Sequence, residues 1–296
     1  MAAKKNSPNR LRLALRRLGK FGEIFENPAG VVGFLIIFGL VMTAIFAPLI
    51  APYDFTTQNI AQRLDAPSAQ YLLGTDHVGR DLLSRLIYGT RIALQVAIPS
   101  IIISLTSGIL LGLVAGYYGG FIDYIIVLIL DTVQSLPSII LALVILTLLG
   151  PSLFNLVIIM GLTFFPGYAR VVRAQVLSAK ENVYVDAERS LGARPMRIVL
   201  RHILPNIIPS VIILATMDIP AVITMEAGLS FLGMGVRPPD PSWGVILNEG
   251  FTYFRQSPWP IISAGLALVI STLGFTIFGE TLRDVLDPKL SGRDKG

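Results

Sequence analysis

Three acidic side chains and one amide lie within otherwise apolar runs of this sequence, namely Asp131, Gln134, Asp218 and Glu226. An ionisable residue at membrane depth is costly, so it marks by default a transport pathway or a charged partner. These residues therefore suggest passage of a polar solute through a membrane. The alternative for Asp131 and Asp218 is a structural role in helix packing, as partner to a polar group of another chain, and for Glu226 it is anchoring of the loop that follows.

Residues that would support other chemistry are scarce. The chain of 296 residues contains no Cys and only 2 His, which excludes thiolate chemistry and Cys-based metal sites. His77 and His202 lie in different segments, and no H-E-x-x-H motif occurs, which argues against an intramembrane zinc enzyme. No G-x-x-x-x-G-K-[ST] motif occurs either, so the chain has no P-loop for ATP phosphates. We expect no catalytic residue, no metal ligand and no cofactor bound by this chain.

The composition is that of an integral membrane protein. Hydrophobic residues make up 53% of the chain and charged residues 15%, whereas a soluble domain carries about a quarter charged residues. The net charge is +5, but the basic residues flank the apolar runs. This placement argues against binding of nucleic acid and indicates contact with membrane lipid.

Six apolar runs are long enough to cross a bilayer, which takes a helix of about 20 residues. We place these spans at 30–50, 92–116, 124–149, 152–171, 206–227 and 259–281. Roughly three quarters of the Lys and Arg residues then fall on the side that holds both termini, which predicts cytoplasmic termini.

The predicted organisation follows from these spans. It comprises a cytoplasmic segment 1–29, a first transmembrane helix 30–50, an extracytoplasmic segment 51–91, a core 92–281 and a cytoplasmic tail 282–296. Within the core, a cytoplasmic loop 174–205 and an extracytoplasmic loop 228–258 are too long to be simple turns.

Two span boundaries carry specific expectations. Asp81 and Arg85, at i and i+4, predict a helical approach to the second span. Pro166 interrupts the fourth run. Arg170 and Arg173 close that run and are expected to anchor it at the membrane surface.

The polar stretch 184–205, YVDAERSLGARPMRIVLRHILP, is predicted to form two short helices joined by a tight turn. Asn182 is placed to cap the first helix, Gly192 to end it in a left-handed conformation, and Pro195 to begin the second. One apolar face of the second helix is expected to comprise Met196, Val199, Leu200 and Ile203. From the residues alone, this stretch is either a loop lying on the membrane surface or a docking element for a cytoplasmic protein.

This stretch resembles the EAA loop of bacterial ABC importer permeases, which reads E-A-A, three residues, Gly, nine residues, I-x-L-P. Asp186, Ala187 and Glu188 occupy the E-A-A positions, with Gly192 at the glycine and Leu204 and Pro205 at the end. Glu188 replaces the second Ala and His202 the Ile, which puts the packing of these two positions in doubt. The resemblance implies that the residues that contact an ATPase are Tyr184, Asp186, Ala187, Glu188, Gly192, Ala193, Arg194, Pro195, Arg197, Leu204 and Pro205.

Three further segments extend the resemblance over about residues 28–290: LGTDHVGRDLLSRLIYGTRIAL, GLSFLGMGVRPPDPSWG and LRDVLDPKL. They are similar to the C-type permease subunit of dipeptide, oligopeptide and nickel importers. The resemblance implies an all-α integral membrane protein with six transmembrane helices, a type I-like ABC importer permease fold and a cytoplasmic coupling helix.

The same resemblance implies the function and the partners. The chain would form half of a pathway for di- or oligopeptides in the bacterial cell (inner) membrane. Its partners would be a second, related permease chain, two ATPase subunits that hold ATP and Mg, and an extracytoplasmic substrate-binding protein. Import of a nickel chelate is one alternative. An ion-coupled secondary transporter, with Asp131 and Asp218 as an ion relay, is the other.

Overall fold

The computed structural model describes residue 22 and residues 24–286 of the chain. Ten helices follow one another in this part: α1 Pro28–Ile50, α2 Leu82–Tyr118, α3 Gly120–Gln134, α4 Ser138–Leu149, α5 Leu153–Lys180, α6 Val183–Ser190, α7 Pro195–Ile198, α8 Leu204–Phe231, α9 Trp243–Thr252 and α10 Trp259–Leu286. A 3-10 turn forms at Ile60–Gln62, and a π-helical segment at Val199–Ile203 joins α7 to α8. The predicted terminal segments 1–29 and 282–296 lie mostly outside the described residues.

The spans are α1, α2, α5, α8 and α10. These five are long and apolar enough to cross a membrane, with α8 counted together with α7 and the π-helical segment as Pro195–Phe231. The bent pair α3–α4 makes a sixth span when its two helices are taken together. No strand forms among the described residues. The expected all-α, multi-pass membrane protein is therefore confirmed.

The predicted third span, 124–149, is not one continuous helix but the bent pair α3–α4. α3 and α4 meet at an angle of 84°, with Ser135, Leu136 and Pro137 between them. Proline disfavours the helical conformation in the residue that precedes it and has no N–H to donate, so Pro137 ends α3 early and begins α4. The Ser135 hydroxyl donates to the carbonyl of Thr132 at 2.7 Å, which satisfies one of the acceptors at the break.

α5 continues beyond the predicted end of the fourth span near residue 171 and reaches Lys180. Pro166 is buried inside α5 and does not break it. At this level the backbone of α5 is held against α2, and such support lets a membrane helix accommodate an internal proline. Arg170 therefore lies within α5 rather than at its end.

α2 also begins earlier than the predicted span. It has 37 residues, from Leu82 to Tyr118, so it is about 55 Å long and exceeds a hydrocarbon core of about 30 Å. Asp81 is its N-cap, and its carboxylate accepts hydrogen bonds from the Ser84 backbone N–H at 2.7 Å and the Ser84 hydroxyl at 2.6 Å. Arg85 pairs with Asp76 and Glu249 instead of Asp81. The predicted helical approach to the second span is confirmed.

The most extensive helix contact joins α2 to α5 through a glycine face on α2. A Cβ atom at Gly112 would lie 2.6 Å from the carbonyl oxygen of Ala169, and one at Gly116 would lie 2.8 Å from the Cβ of Val176. Small residues let membrane helices approach closely enough for backbone contact. α10 packs in turn against α1 and α8, and a Cβ at Gly33 would lie 2.7 Å from the backbone nitrogen of Phe278.

This packing predicts the effect of a bulky residue on the glycine face. Gly112→Leu should destabilise the chain by about 1–3 kcal/mol or more, because the clash is with backbone that cannot move away. Gly39→Leu is the matched control, since a Cβ at Gly39 meets nothing within 4 Å. Thermal unfolding of both variants in detergent measures the difference, and equal melting temperatures would contradict the assigned contact.

Candidate coupling element and pathway residues

The tight turn between α6 and α7 is fixed by backbone hydrogen bonds. The N–H of Ala193 donates to the carbonyl of Glu188 at 3.0 Å, and the N–H of Gly192 donates to the carbonyl of Arg189 at 2.9 Å. Gly192 has φ +75°. This is the Schellman arrangement that ends helices at a left-handed glycine. Pro195 is the first residue of α7, so the predicted turn chemistry is confirmed at both positions.

The start of α6 differs from the sequence prediction. Asn182 does occupy the N-cap position, but its side chain makes no capping hydrogen bond. Its Nδ2 instead donates to the carbonyls of Ser178 at 3.2 Å and Ala179 at 3.1 Å. These carbonyls belong to the last turn of α5, so Asn182 ties α6 directly to the end of the preceding span.

The apolar face of the second half was predicted only in part. Val199 and Ile203 are buried as expected, but Met196 and Leu200 are exposed and Ile198 is buried in their place. The π-helical segment explains the shift, because it widens the turn from four residues towards five. Ile198 and Ile203, five residues apart, therefore share the buried face.

Two of the positions that depart from the EAA pattern, Glu188 and His202, meet in the structure. His202 Nε2 lies 3.3 Å from Glu188 Oε1, and both side chains are about three quarters buried. The contact is within ion-pair distance but lacks hydrogen-bond alignment. It links α6 to the π-helical segment across the turn, so the doubt about packing at these positions is answered by a polar contact between them.

The outer surface of this element is rich in apolar side chains. Val183, Leu191 and Met196 are exposed, whereas Val185 is fully buried against the core. Among the residues expected to contact an ATPase, the exposed ones are Tyr184, Asp186, Ala187, Gly192, Arg194, Pro195, Arg197 and Pro205, and the partly buried ones are Glu188, Ala193 and Leu204. Residues 183–205 are called the coupling element below.

Asp131, the first of the candidate pathway residues, pairs with α5. Its Oδ1 accepts a hydrogen bond from Arg170 Nη2 at 2.5 Å. Gln134 is exposed one turn further along α3. The partner of Asp131 is therefore in the same chain, whereas the sequence left open a partner in another chain.

Asp218 and Glu226 have different surroundings, although both lie on α8. Asp218 is half-buried, and its carboxylate lies within electrostatic reach of the buried Tyr168 hydroxyl without hydrogen-bond alignment. Glu226 is buried, and its Oε1 accepts a hydrogen bond from the Ser230 hydroxyl at 2.6 Å. Ser230 Oγ in turn accepts the N–H of Val236 at 3.4 Å, so Glu226 lies at the base of the loop that follows α8.

A second link between α3 and α5 was missed by the sequence analysis. Asp123 accepts hydrogen bonds from both Nε and Nη2 of Arg173. The Lys180 ammonium donates to the carbonyls of Gly116 at 3.2 Å and Tyr117 at 3.4 Å, at the end of α2. Arg173 was expected to be a surface anchor, but in the structure it holds α3 to α5.

A buried ion network at the opposite end of α2 was also missed. Asp76 accepts hydrogen bonds from Arg80 and Arg85, and both arginines also reach Glu249 of α9. Burial alone would raise the pKa of Asp76, but Arg85, Arg80 and two backbone N–H donors hold it below its usual value. Glu249 is 164 residues from Arg85 in sequence, so no local pattern could pair them.

Asp76, His77 and Glu249 are also the one group of possible metal ligands among the described residues, with ligand atoms within 4.8 Å of one another. Two guanidinium groups already occupy the carboxylate oxygens. His77 stacks on Tyr253 with ring centroids 5.3 Å apart. The group therefore fits an ion-pair network that fastens residues 51–81 to α9, and not a metal centre.

Comparison with protein families gives two matches. The family described as binding-protein-dependent transport system inner membrane component matches residues 108–292. The N-terminal TM domain of oligopeptide transport permease C matches residues 10–67. The first match covers the coupling element and the helices on both sides of it.

Individual proteins agree with the family match. The chain is 40% identical to the di/tripeptide transport system permease protein DppC of Pseudomonas aeruginosa, over 92% of each chain. It is 38% identical to the dipeptide transport system permease protein DppC of Alkalihalophilus pseudofirmus, over 91% of this chain and 89% of that one.

The fold is shared with a solved transporter. A chain of the MetNI methionine ABC transporter, in an inward-facing conformation, superposes with a TM-score of 0.57 at 21% identity, covering 70% of this chain and 98% of that chain. The resemblance inferred from the EAA loop and the expected permease fold are thus confirmed. The chain belongs to the family of binding-protein-dependent transport system inner membrane components and has the permease fold of an ABC importer.

Proposed function

We propose that this chain is the permease subunit of an ATP-driven importer for di- or oligopeptides. The observation that carries this proposal is the coupling element, a rigid turn that presents exposed apolar side chains beyond the ends of two spans. Apolar groups outside the membrane that stay exposed on a single chain mark a docking surface for another protein. The peptide transport permeases among the relatives support peptide as the cargo.

The coupling element is built to transmit displacement. α5 runs without a break from Leu153 to Lys180 and passes into α6 through the Asn182 hydrogen bonds. On the other side, the π-helical segment passes directly into α8. A push on the Schellman turn therefore acts on two spans at once, and we infer that α5 and α8 then move relative to the second permease chain. This movement would alternate access to the pathway.

The partners follow from the surfaces that the chain leaves open. Two ATPase subunits would hold ATP and Mg and close on the coupling elements of the two permease chains. This chain contributes no P-loop of its own. The exposed apolar side chains of α1, α3 and α4, among them Leu49, Phe121 and Leu148, would face lipid or the second permease chain. A substrate-binding protein would deliver the cargo on the extracytoplasmic side.

We further infer that the chain lies in the bacterial cell (inner) membrane with both termini in the cytoplasm. The positive-inside bias of the Lys and Arg residues supports this orientation. It places the coupling element in the cytoplasm and the ion network around Asp76 on the outer side.

The function is tested by reconstituting the chain with its cognate permease, ATPase and binding-protein subunits in vesicles. Labelled dipeptide should accumulate when ATP is supplied to the ATPase side, and dissipating the membrane potential should have no effect. Uptake that depends on the potential and not on ATP would indicate a secondary transporter. Uptake of a nickel chelate with no uptake of dipeptide would indicate the other alternative.

The rigidity of the coupling element predicts the effect of Gly192→Val. A β-branched residue resists the left-handed conformation, so the turn should distort, and ATP-driven uptake and ATPase association should both fall by at least about tenfold. Gly233→Val is the matched control, because Gly233 also has positive φ and open space around it but lies at the other end of α8. ATPase association is measured by co-purification. If Gly192→Val associates as well as Gly233→Val does, the turn is not the docking element.

The contact between Glu188 and His202 predicts a coupled pair. Glu188→Ala or His202→Ile alone should destabilise the assembled complex by about 0.5–1.5 kcal/mol, because each leaves a partly buried polar group without its partner. The double variant should lose less than the sum of the two. This double-mutant cycle is measured by the melting temperatures of the wild type, the two single variants and the double variant. Strictly additive losses would show that the two side chains do not interact.

A further inference from the structure

The break between α3 and α4 exposes polar groups within a membrane-spanning pair. The side chains of Asp131, Thr132, Gln134 and Ser135 are all exposed. The two hydroxyls are already bonded to carbonyls of their own helix, Thr132 to Leu128 and Ser135 to Thr132, each at 2.7 Å. Irregular backbone and polar groups at membrane depth persist only where they face protein or a water-filled cavity. This side of α3 therefore faces either another protein chain or a water-filled cavity, and not lipid.

Arg170 of α5 is brought to the same place by apolar packing. Leu130 of α3 lies in one buried cluster with Phe165 and Ala169 of α5. Asp131 and Arg170 follow directly after Leu130 and Ala169 in the chain, so they meet at the edge of that cluster, 2.5 Å apart. The pair is thus positioned by packing that does not involve either charge.

The pair also lies deep along α5. Arg170 is ten residues before Lys180 and seventeen after Leu153, which places it about 15 Å from one end of the helix and about 25 Å from the other. A hydrocarbon core of about 30 Å that begins at Leu153 extends to about residue 173, so the pair lies within it, near the end that leads to α6. Charges within the core mark by default a solute pathway or a charged partner.

Asp131 and Arg170 retain unused hydrogen-bonding capacity. Their side chains are 58% and 49% exposed, whereas those of Asp123 and Arg173, which join the same two helices, are 19% and 31% exposed. Only one Asp131 oxygen and one Arg170 nitrogen are engaged with the described part of the chain, and the Gln134 amide makes no hydrogen bond there. A guanidinium has five donors and a carboxylate two acceptor oxygens, so both groups can bind a further partner.

We propose that Asp131 and Arg170 form a binding site for a zwitterionic solute within the translocation pathway, in which Asp131 binds the ammonium group and Arg170 the carboxylate of a short peptide. Gln134, one turn along α3, is placed to bond the peptide's amide. This inference rests on the proposed function of peptide import.

The empty and occupied states of such a site are both neutral. Without cargo, the two charges neutralise each other at a depth where a lone charge is unfavourable. With cargo, the termini of a dipeptide, about 7 Å apart when extended, replace the internal partners one for one. The peptide competes with an existing ion pair, so binding stays weak enough for release. A solute that lacks one of the two terminal charges would leave either Asp131 or Arg170 without an oppositely charged partner.

The test uses the complete reconstituted importer and compares a dipeptide with its N-acetylated and C-amidated forms, each bound to the substrate-binding protein at saturation. Asp131→Asn should lower uptake of the free dipeptide by at least about tenfold and uptake of the acetylated form by less than about twofold. Arg170→Gln should likewise lower uptake of the free dipeptide by at least about tenfold and uptake of the amidated form by less than about twofold. Asp123→Asn is the matched control and should affect all three peptides in parallel. Parallel losses in Asp131→Asn as well would overturn the proposal.

The exchanged variant Asp131→Arg/Arg170→Asp distinguishes peptide binding by the pair from stabilisation of the fold by the pair. It does not require modified peptides to bind to the substrate-binding protein. The ion pair should re-form and restore the melting temperature, while uptake should stay low because the delivered peptide meets the charges in reversed order. Recovery of both properties would show that the pair is only structural. If the wild-type importer takes up no dipeptide at all, the proposed function fails instead, and that outcome is visible before any variant is tested.

Discussion

Two helices in a bilayer gain little from burying apolar side chains against each other, because lipid tails are equally apolar. Close backbone contact is what remains, and the glycine face of α2 provides it for α5. A Cβ at Gly112 or Gly116 would lie less than 3 Å from atoms of α5, so the two helices are held at a fixed depth and rotation. α5 then sets the position of everything attached to it, which includes the coupling element at one end and the short helix α3 at its side.

Ion pairs hold those elements that bury few apolar side chains. α3 buries only Ile126 and Leu130, and the Asp123–Arg173 pair gives it a further constraint against α5. Residues 51–81 are fastened to α9 in the same way, by the two arginines between Asp76 and Glu249. Removing one member of such a network would leave a buried charge without its partner, which is more damaging than replacing the whole network by apolar residues.

The sequence predicted those features that depend on local chemistry. Apolar run length identified the spans, and Gly192 and Pro195 identified the turn, since each requires a particular backbone conformation. The break before Pro137 is local in the same sense, because proline restricts the backbone of Leu136. The length of α5 beyond the predicted span depends on contacts that no local pattern shows, because Arg173 is held against α3 and Lys180 against the end of α2.

The remaining features could not be predicted, because they depend on which elements pack together. No local sequence pattern predicts that Arg85 pairs with Glu249. The contact between Glu188 and His202 involves a π-helical segment that the sequence pattern does not predict. The predicted apolar face failed at Met196 and Leu200 for the same reason. A regular helix would have buried them, but the wider turn brings Ile198 inward.

The same segment keeps Met196 on the surface, close to the turn at Gly192, where an apolar side chain can contact a docked protein. The π-helical segment therefore does two things at once. It maintains a continuous connection to α8, and it leaves the apolar side chains of Met196 and Leu200 exposed, on the surface where we propose that a partner docks. A regular α-helix at these positions would supply the connection but bury part of the docking surface, so the irregularity and the exposed apolar residues have one common cause.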